Sequence, residues 1–350
     1  MTRSSPSTSS SATALTNLEI MERPAPEVVM YDEHRVIRFS ARTEKQLRIL
    51  LENEIEWGLD YFTHHKQIGG FVDARISPAN YQQLKKTGAQ LEYEVLIENV
   101  QQLLSSGDKD EDGNVLVNAG EDWFVGYHLY RDHLEWMEAQ IRNHSTVARS
   151  FSAGKSFEGR YQAGVKIGTG PNHVVLHGLQ HSREWMTESA VERHVVNGPM
   201  RASNYSGPFA FSTPEATNIA RYLKSLPDVA TYMDIHAYGQ LILTPYGFTG
   251  KLPPSYDSYL KPLADGTVKA LAAVHGTQFK AGDIYHSIYP ASGSSIDYAM
   301  EEVRVPVPFG FELRNTGLFG LTLPADQILP SGQETWAAFT YILDNLKDLK

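Results

Sequence analysis

Residues 174–185 have the sequence VVLHGLQHSREW, a short apolar strand that runs into a polar turn and then into the start of a helix. In open α/β sheets, ligands bind at the carboxyl ends of the strands. His181 and Glu184 lie three residues apart on this turn, so an imidazole and a carboxylate can reach one cation. Two side chains do not make a metal site, and an exposed histidine beside a helix-start glutamate explains the same residues equally well.

The stretches that follow alternate between strand-like and helix-like patterns. Strands are predicted at 174–176, 230–235 and 307–313, and helices at 214–226 (capped by Thr213), 259–275 and 333–349. Such alternation predicts an α/β fold, a mixed twisted sheet with helices on both faces.

The alternation of strand and helix patterns in residues 28–106 predicts a smaller α+β module, an open sandwich that precedes the main sheet. Its predicted elements are a strand at 36–39, a helix capped by Thr43 with Leu47, Leu50, Leu51 and Ile55 on its apolar face, a strand at 71–76, a helix opened by Ser77-Pro78, and a strand at 93–97. The flanking segments are polar: 1–27 is serine-rich and predicted to be disordered, and 107–121 is an acidic linker. Residues 122–350 form the predicted larger domain.

Composition excludes several classes of protein. The 350-residue chain has no apolar run near the roughly 18 residues that span a bilayer, so no transmembrane helix is predicted. Its net charge of −10 disfavours general binding to nucleic acids. The absence of cysteine excludes a disulfide framework, a thiol nucleophile and a cysteine zinc finger, whereas 13 histidines remain as possible ligands or bases.

Two further candidates follow predicted strands. His236 ends the strand at 230–235, and two histidines, a glutamate and an open position are the usual arrangement of catalytic zinc. A histidine at a strand end is, however, more often a hydrogen-bonded, partly buried residue. Glu312 closes the strand at 307–313, where burial should raise its pKa and suit it to proton transfer near neutral pH. Arg314 shares a strand face with Glu312, so an ion pair between them is the alternative role.

Four strings carry a family resemblance. HSREW, DIHAYGQLILTPYGF, IYPASGSSIDY and FELRNTGLFGLTLPADQILPSGQETW occur in this order and resemble the zinc metallocarboxypeptidases of the carboxypeptidase A type (peptidase family M14). Residues 28–106 resemble the inhibitory pro-domain of these zymogens. The resemblance covers most of the chain after residue 28.

The resemblance implies specific roles. His181, Glu184 and His236 match the ligands of one Zn²⁺ per chain, and Glu312 matches the general base that activates water on that ion. Three residues match substrate contacts: Arg183 upstream of the cleaved bond, Tyr289 as the mobile tyrosine that closes over the C-terminus, and Ile296 at the base of the side-chain pocket. An aliphatic residue at that base implies a preference for aromatic or aliphatic C-terminal residues.

The same resemblance implies partners and location. A family member of this type is a monomeric, secreted zymogen that an endoprotease activates in the linker and that cleaves peptide or protein C-termini. A vacuolar location is the second expectation, and no signal-peptide pattern is visible near the start of the sequence. No nucleic-acid or membrane partner is expected.

One interval departs from the family pattern. Glu184 and His236 are 52 residues apart, less than half the family's separation, which indicates a shortening between 190 and 205. The corresponding segment in the family holds an internal strand, a carboxylate that orients the first histidine, and the arginines that polarise the scissile carbonyl and bind the terminal carboxylate. The alternative function is therefore an impaired or inactive family member, or a mis-spliced product, that retains the zinc site and acts, if at all, as a binding protein.

Overall fold

The computed structural model describes residues 30–62, 68–87, 91–104, 123–124, 126–128, 130–181, 183–187, 210–317, 319–321 and 323–346. The predicted disordered segment 1–27, the acidic linker 107–121 and the shortened interval 190–205 lie outside these residues. The described strands form a four-stranded sheet, a two-stranded hairpin and a five-stranded sheet.

The N-terminal module is an antiparallel sheet with helices. Its elements are β1 (Arg35–Ala41), α1 (Glu44–Glu52), β2 (Asp60–Tyr61), β3 (Gly70–Ile76), α2 (Pro78–Thr87), β4 (Glu92–Ile97) and α3 (Val100–Leu104), with the strand order β2-β3-β1-β4. The three predicted strands and two predicted helices are confirmed, and β2 and α3 are additional. The predicted cap is confirmed as well, because the Thr43 hydroxyl accepts the Gln46 N–H while the Gln46 side chain accepts the Thr43 N–H.

The apolar face predicted for α1 is partly wrong. Leu50 is buried in the module's core, but Leu51 is 45% exposed and Ile55 is 94% exposed. The helix ends at Glu52, since the Asn53 N–H caps the Ile49 carbonyl, so helical spacing does not extend to Ile55. Trp57 and Leu59, which follow the helix, occupy the core instead.

The larger unit contains the mixed sheet. Its elements are α4 (Tyr130–Asn143), β5 (Ala148–Lys155), β6 (Tyr161–Ile167), β7 (His173–Gly178), α5 (Pro214–Ser225), β8 (Val229–His236), β9 (Leu241–Thr244), α6 (Lys261–His275), β10 (Lys280–Asp283), α7 (Ile284–Ser287), α8 (Ser295–Tyr298), β11 (Val307–Glu312) and α9 (Ile328–Asp344). The sheet order is β10-β9-β11-β8-β7. Strands β7, β8 and β11 run parallel, and β9 is antiparallel to β11. No helix in the described ranges is both long and apolar enough to span a membrane.

Helices cover both faces of this sheet, as predicted. Met233 and Ile235 of β8 belong to a core with Leu271 of α6 and Phe339 of α9. Tyr232 points to the opposite face and belongs to a second core that includes residues of α5 and α8. Because neighbouring strand residues face opposite sides, one buried strand supplies both cores.

The predicted boundaries in this unit shift by one to five residues in the structure. The strand predicted at 307–313 ends at Glu312, and the helix predicted at 333–349 runs from Ile328 to Asp344. Pro330 does not prevent this earlier start because it lies in the first turn, where backbone N–H groups have no intrahelical partner. The cap predicted for α5 is confirmed, since the Thr213 hydroxyl accepts the Ala216 N–H.

Strand β7 lies at the edge of the described sheet. It pairs with β8, while β5 and β6 pair with each other in a separate hairpin. The β7 side chains of Val174 and Leu176 are exposed.

Candidate metal and catalytic site

The candidate residues lie at or just beyond the carboxyl ends of three strands, at one edge of the sheet. β7, β8 and β11 are parallel, with Gly178 opposite Ile235 and Glu312 opposite His236. Their carboxyl ends therefore meet, and the polar turn after β7 carries His181 and Glu184 into the same region.

The structure brings the three candidate ligands together. Ligand atoms of His181, Glu184 and His236 all lie within 4.8 Å of one another. Nδ1 of His181 is 2.7 Å from Glu184 Oε1, and Nδ1 of His236 is 3.1 Å from Glu184 Oε2. The two Nδ1 atoms are 3.3 Å apart. The same nitrogen of each imidazole thus converges on one carboxylate.

This donor set fits zinc. Glu184 is only 2% exposed, and burial raises its pKa, but His236 and His181 outweigh that effect and hold the pKa at about 2. The carboxylate is therefore ionised, as a metal ligand must be. Catalytic zinc is often bound by two imidazole nitrogens and one carboxylate. His181, His236 and Glu184 supply these three donors.

Glu312 lies beside these ligands at the end of β11. It is half-buried, and burial raises its pKa to about 8; His236 works against this shift, while Glu184 and Asp234 reinforce it. A carboxyl with such a pKa can hold or release a proton near neutral pH.

The alternative role for Glu312, an ion pair with Arg314, is wrong. Arg314 instead donates to the buried Glu334 of α9, from Nε at 2.8 Å and from Nη2 at 2.5 Å. A third donor nitrogen of the same guanidinium, Nη1, lies 2.7 Å from Gln327 Oε1. Both partners lie in or just before α9, so the carboxylate of Glu312 is left for the metal edge.

The three candidate substrate contacts have different environments. Tyr289 is half-buried in the loop between α7 and α8, where burial raises its pKa and Glu312 adds to that shift. Ile296 is fully buried in α8, within the apolar cluster that includes Leu243. Arg183 donates from Nη1 to Asp60 Oδ1 and to the Tyr61 carbonyl, both at 3.2 Å, so it contacts the N-terminal module.

One polar group near the site was missed by sequence analysis. Asp234 is 2% exposed and lies two residues before His236 on the same face of β8. A carboxylate in an otherwise apolar strand, at an even spacing from a candidate ligand, is the signal that could have identified it.

Comparison with known proteins decides the family. A family model described as zinc carboxypeptidase matches residues 133–197 and 197–338, and one described as carboxypeptidase activation peptide matches residues 37–106. The chain belongs to the zinc carboxypeptidase family. The break at residue 197 falls inside the interval 190–205, where the sequence indicates a shortening.

Individual relatives of this zinc carboxypeptidase cover nearly its whole length. A metallocarboxypeptidase A-like protein of Trichophyton verrucosum is 28% identical over 400 residues, which cover 91% of this chain and 94% of the relative. Carboxypeptidase A1 of Mus musculus is 29% identical over 394 residues, with 89% and 93% covered. Both alignments are longer than the 350-residue chain, so each relative has residues without a counterpart here.

Solved structures share the fold. Thrombin activatable fibrinolysis inhibitor superposes with a TM-score of 0.78 at 18% identity, covering 90% of this chain and 100% of that one. Carboxypeptidase A of Helicoverpa armigera superposes with a TM-score of 0.69 at 21% identity, covering 92% and 100%. The carboxypeptidase-like mixed sheet with helices is thereby confirmed.

Proposed function

We propose that this zinc carboxypeptidase is made as a zymogen and removes the C-terminal residue of peptides or proteins, preferring aromatic or aliphatic side chains. The observation that carries the proposal is the convergence of His181, Glu184 and His236 on one point, with Glu312 at the adjacent strand end. Those three residues would hold Zn²⁺, which supplies Lewis-acid polarisation of the scissile carbonyl when bound.

Glu312 moves the proton. Its carboxylate accepts a proton from the attacking water as the new bond from oxygen to carbonyl carbon forms, and returns it to the amine nitrogen as the peptide bond breaks. Burial raises the pKa of Glu312 and so favours the protonated form that donates to the leaving amine, whereas a bound cation nearby would favour the carboxylate that accepts the first proton. Tyr289, on the neighbouring loop, is proposed to close over the substrate's C-terminus.

Contacts between the N-terminal module and the larger unit support the zymogen proposal. Arg183, the proposed contact for substrate residues upstream of the cleaved bond, is bound by Asp60 and the Tyr61 carbonyl. Beside this ion pair, Phe62 packs in one apolar cluster with Leu321. A peptide cannot use Arg183 while the module holds it, so cleavage in 107–121 by an endoprotease would be the activating step.

Specificity and location are further parts of the proposal. Ile296 would give the side-chain pocket an apolar base, which favours aromatic or aliphatic C-terminal residues. We propose a monomeric, secreted protein, with the vacuole as the second location. Asn143 begins an Asn-His-Ser acceptor site for glycosylation and is exposed at the end of α4, which is compatible with secretion.

Metal analysis and peptidase assays test this proposal. Purified protein should contain about one zinc per chain, and Glu312→Gln should retain the metal while losing activity. After removal of the N-terminal module, the wild type should release phenylalanine from a blocked dipeptide, and the intact chain should release far less. Protein that binds zinc but releases nothing after activation would support the non-catalytic alternative, and a fully active intact chain would contradict the zymogen.

A further inference from the structure

His236 lies between two carboxylates. Its Nδ1 is 3.1 Å from Glu184 Oε2, and its Nε2, on the other side of the ring, is 3.1 Å from Asp234 Oδ2. Asp234 reaches Nε2 because side chains two residues apart on a strand point to the same face. The two ring nitrogens therefore have separate partners, one at the proposed metal position and one behind it.

Asp234 is itself held by a hydrogen bond from another element. The Ser295 hydroxyl, at the start of α8, donates to Asp234 Oδ2. His177 of β7 lies directly opposite Asp234 in the strand register, with its Nδ1 3.3 Å from Asp234 Oδ1, but Oδ1 accepts no hydrogen bond from the described residues. The His177 nitrogen is instead 3.1 Å from the hydroxyl of Tyr232. Ser295 thus fixes one oxygen of a carboxylate that is 2% exposed.

A cation bound on the Nδ1 side would select one form of the imidazole. Nδ1 would then supply its lone pair to the cation, and the single proton of neutral His236 would lie on Nε2, where the Asp234 carboxylate can accept it. Nδ1 is the nitrogen that faces Glu184 and His181. Metal-bound histidines generally donate their second N–H to a carboxylate or carbonyl, which fixes the ring orientation and raises ligand basicity.

We propose that Asp234 is a positioning residue for the metal site, accepting the Nε2–H of His236 so that Nδ1 is presented as the ligand. The inference rests on the proposed zinc-dependent function. It predicts that losing the Asp234 carboxylate lowers zinc affinity, which the loss of a purely structural ion pair would not do.

Zinc affinity of the full-length chain tests the inference. Zn²⁺ is titrated in competition with a chromogenic chelator, and Co²⁺ is substituted to read its visible spectrum. Asp234→Asn should weaken zinc binding by roughly 10–100-fold, the range for lost support behind a ligand, and should alter the Co²⁺ spectrum. The matched control is Asp283→Asn, which removes another buried carboxylate, one that caps α7 through the His286 N–H. This control should bind zinc within about twofold of wild type, because Asp283 does not contact a proposed ligand.

The outcomes separate the two proposals. A wild-type chain that binds no zinc overturns the proposed function, whereas equal zinc affinity in wild type and Asp234→Asn overturns only the positioning role. If Asp234→Asn does not fold, Ser295→Ala takes its place, because it removes a donor to Asp234 and keeps the carboxylate. Ser295→Ala should weaken zinc binding by a smaller factor, and unchanged affinity would overturn the inference.

Discussion

In the metal-free protein, the half-buried Glu312 should lower the free energy of unfolding as pH rises. Replacing Glu312 by glutamine should remove this loss. Burial raises the pKa of Glu312 from 4.5 to about 8, so between these values the folded chain retains a proton that the unfolded chain has lost. When the folded state binds more protons, the free energy of unfolding falls as pH rises. The loss therefore develops between about pH 4.5 and 8 and is complete above that window.

The size of this loss in unfolding free energy follows from the shift in the pKa of Glu312. One pKa unit corresponds to about 1.36 kcal/mol, so a shift from 4.5 to about 8 corresponds to about 5 kcal/mol. Because Glu312 is half-buried and remains in contact with water, this figure is an upper limit, and we expect about 2–4 kcal/mol between pH 5 and pH 9. Domains are stable by only about 5–15 kcal/mol, so the effect is large enough to measure.

Urea unfolding of the chelator-treated protein provides the assay. The stability gained by Glu312→Gln over wild type should be about 2–4 kcal/mol greater at pH 9 than at pH 5. The control Glu52→Gln, at an exposed helix position, should stay within about 0.5 kcal/mol of wild type at both values. Saturating zinc should reduce the difference between the gains of Glu312→Gln at pH 9 and at pH 5, because a nearby cation favours the ionised carboxylate. A gain that is equal at both pH values would refute the raised pKa and the proton-holding role derived from it.

Three other substitutions test separate parts of the structure. Arg314→Ala should lower the free energy of unfolding by about 3–5 kcal/mol, because it leaves buried Glu334 without its cation; a loss below 1 kcal/mol in urea unfolding would contradict that pairing. Thr43→Ala should cost about 1 kcal/mol in the same assay through loss of the capping box with Gln46, and an unchanged midpoint would show that the cap is dispensable. Ile296→Asp should shift the kcat/KM preference of the activated enzyme from C-terminal phenylalanine towards arginine, and an unaltered preference would place the pocket base elsewhere.

Local patterns predicted the features that depend on near neighbours in the chain. The caps at Thr43 and Thr213 were predictable because a cap joins a side chain to a backbone group three residues away. The pairing of His181 with Glu184 is similarly local. The helical spacing failed at Ile55, which lies beyond the end of α1 because the helix stops at Glu52.

The sequence alone determined the alternating α/β pattern, the family and the identity of the four polar residues proposed for chemistry. Only the tertiary structure decided which ion pairs form around them: Arg314 pairs with Glu334 rather than Glu312, and Arg183 pairs with Asp60. The physical reason is that strand register and helix packing bring together groups far apart in the chain, and ion pairing depends on separations of a few ångströms. No spacing along the sequence contains that information.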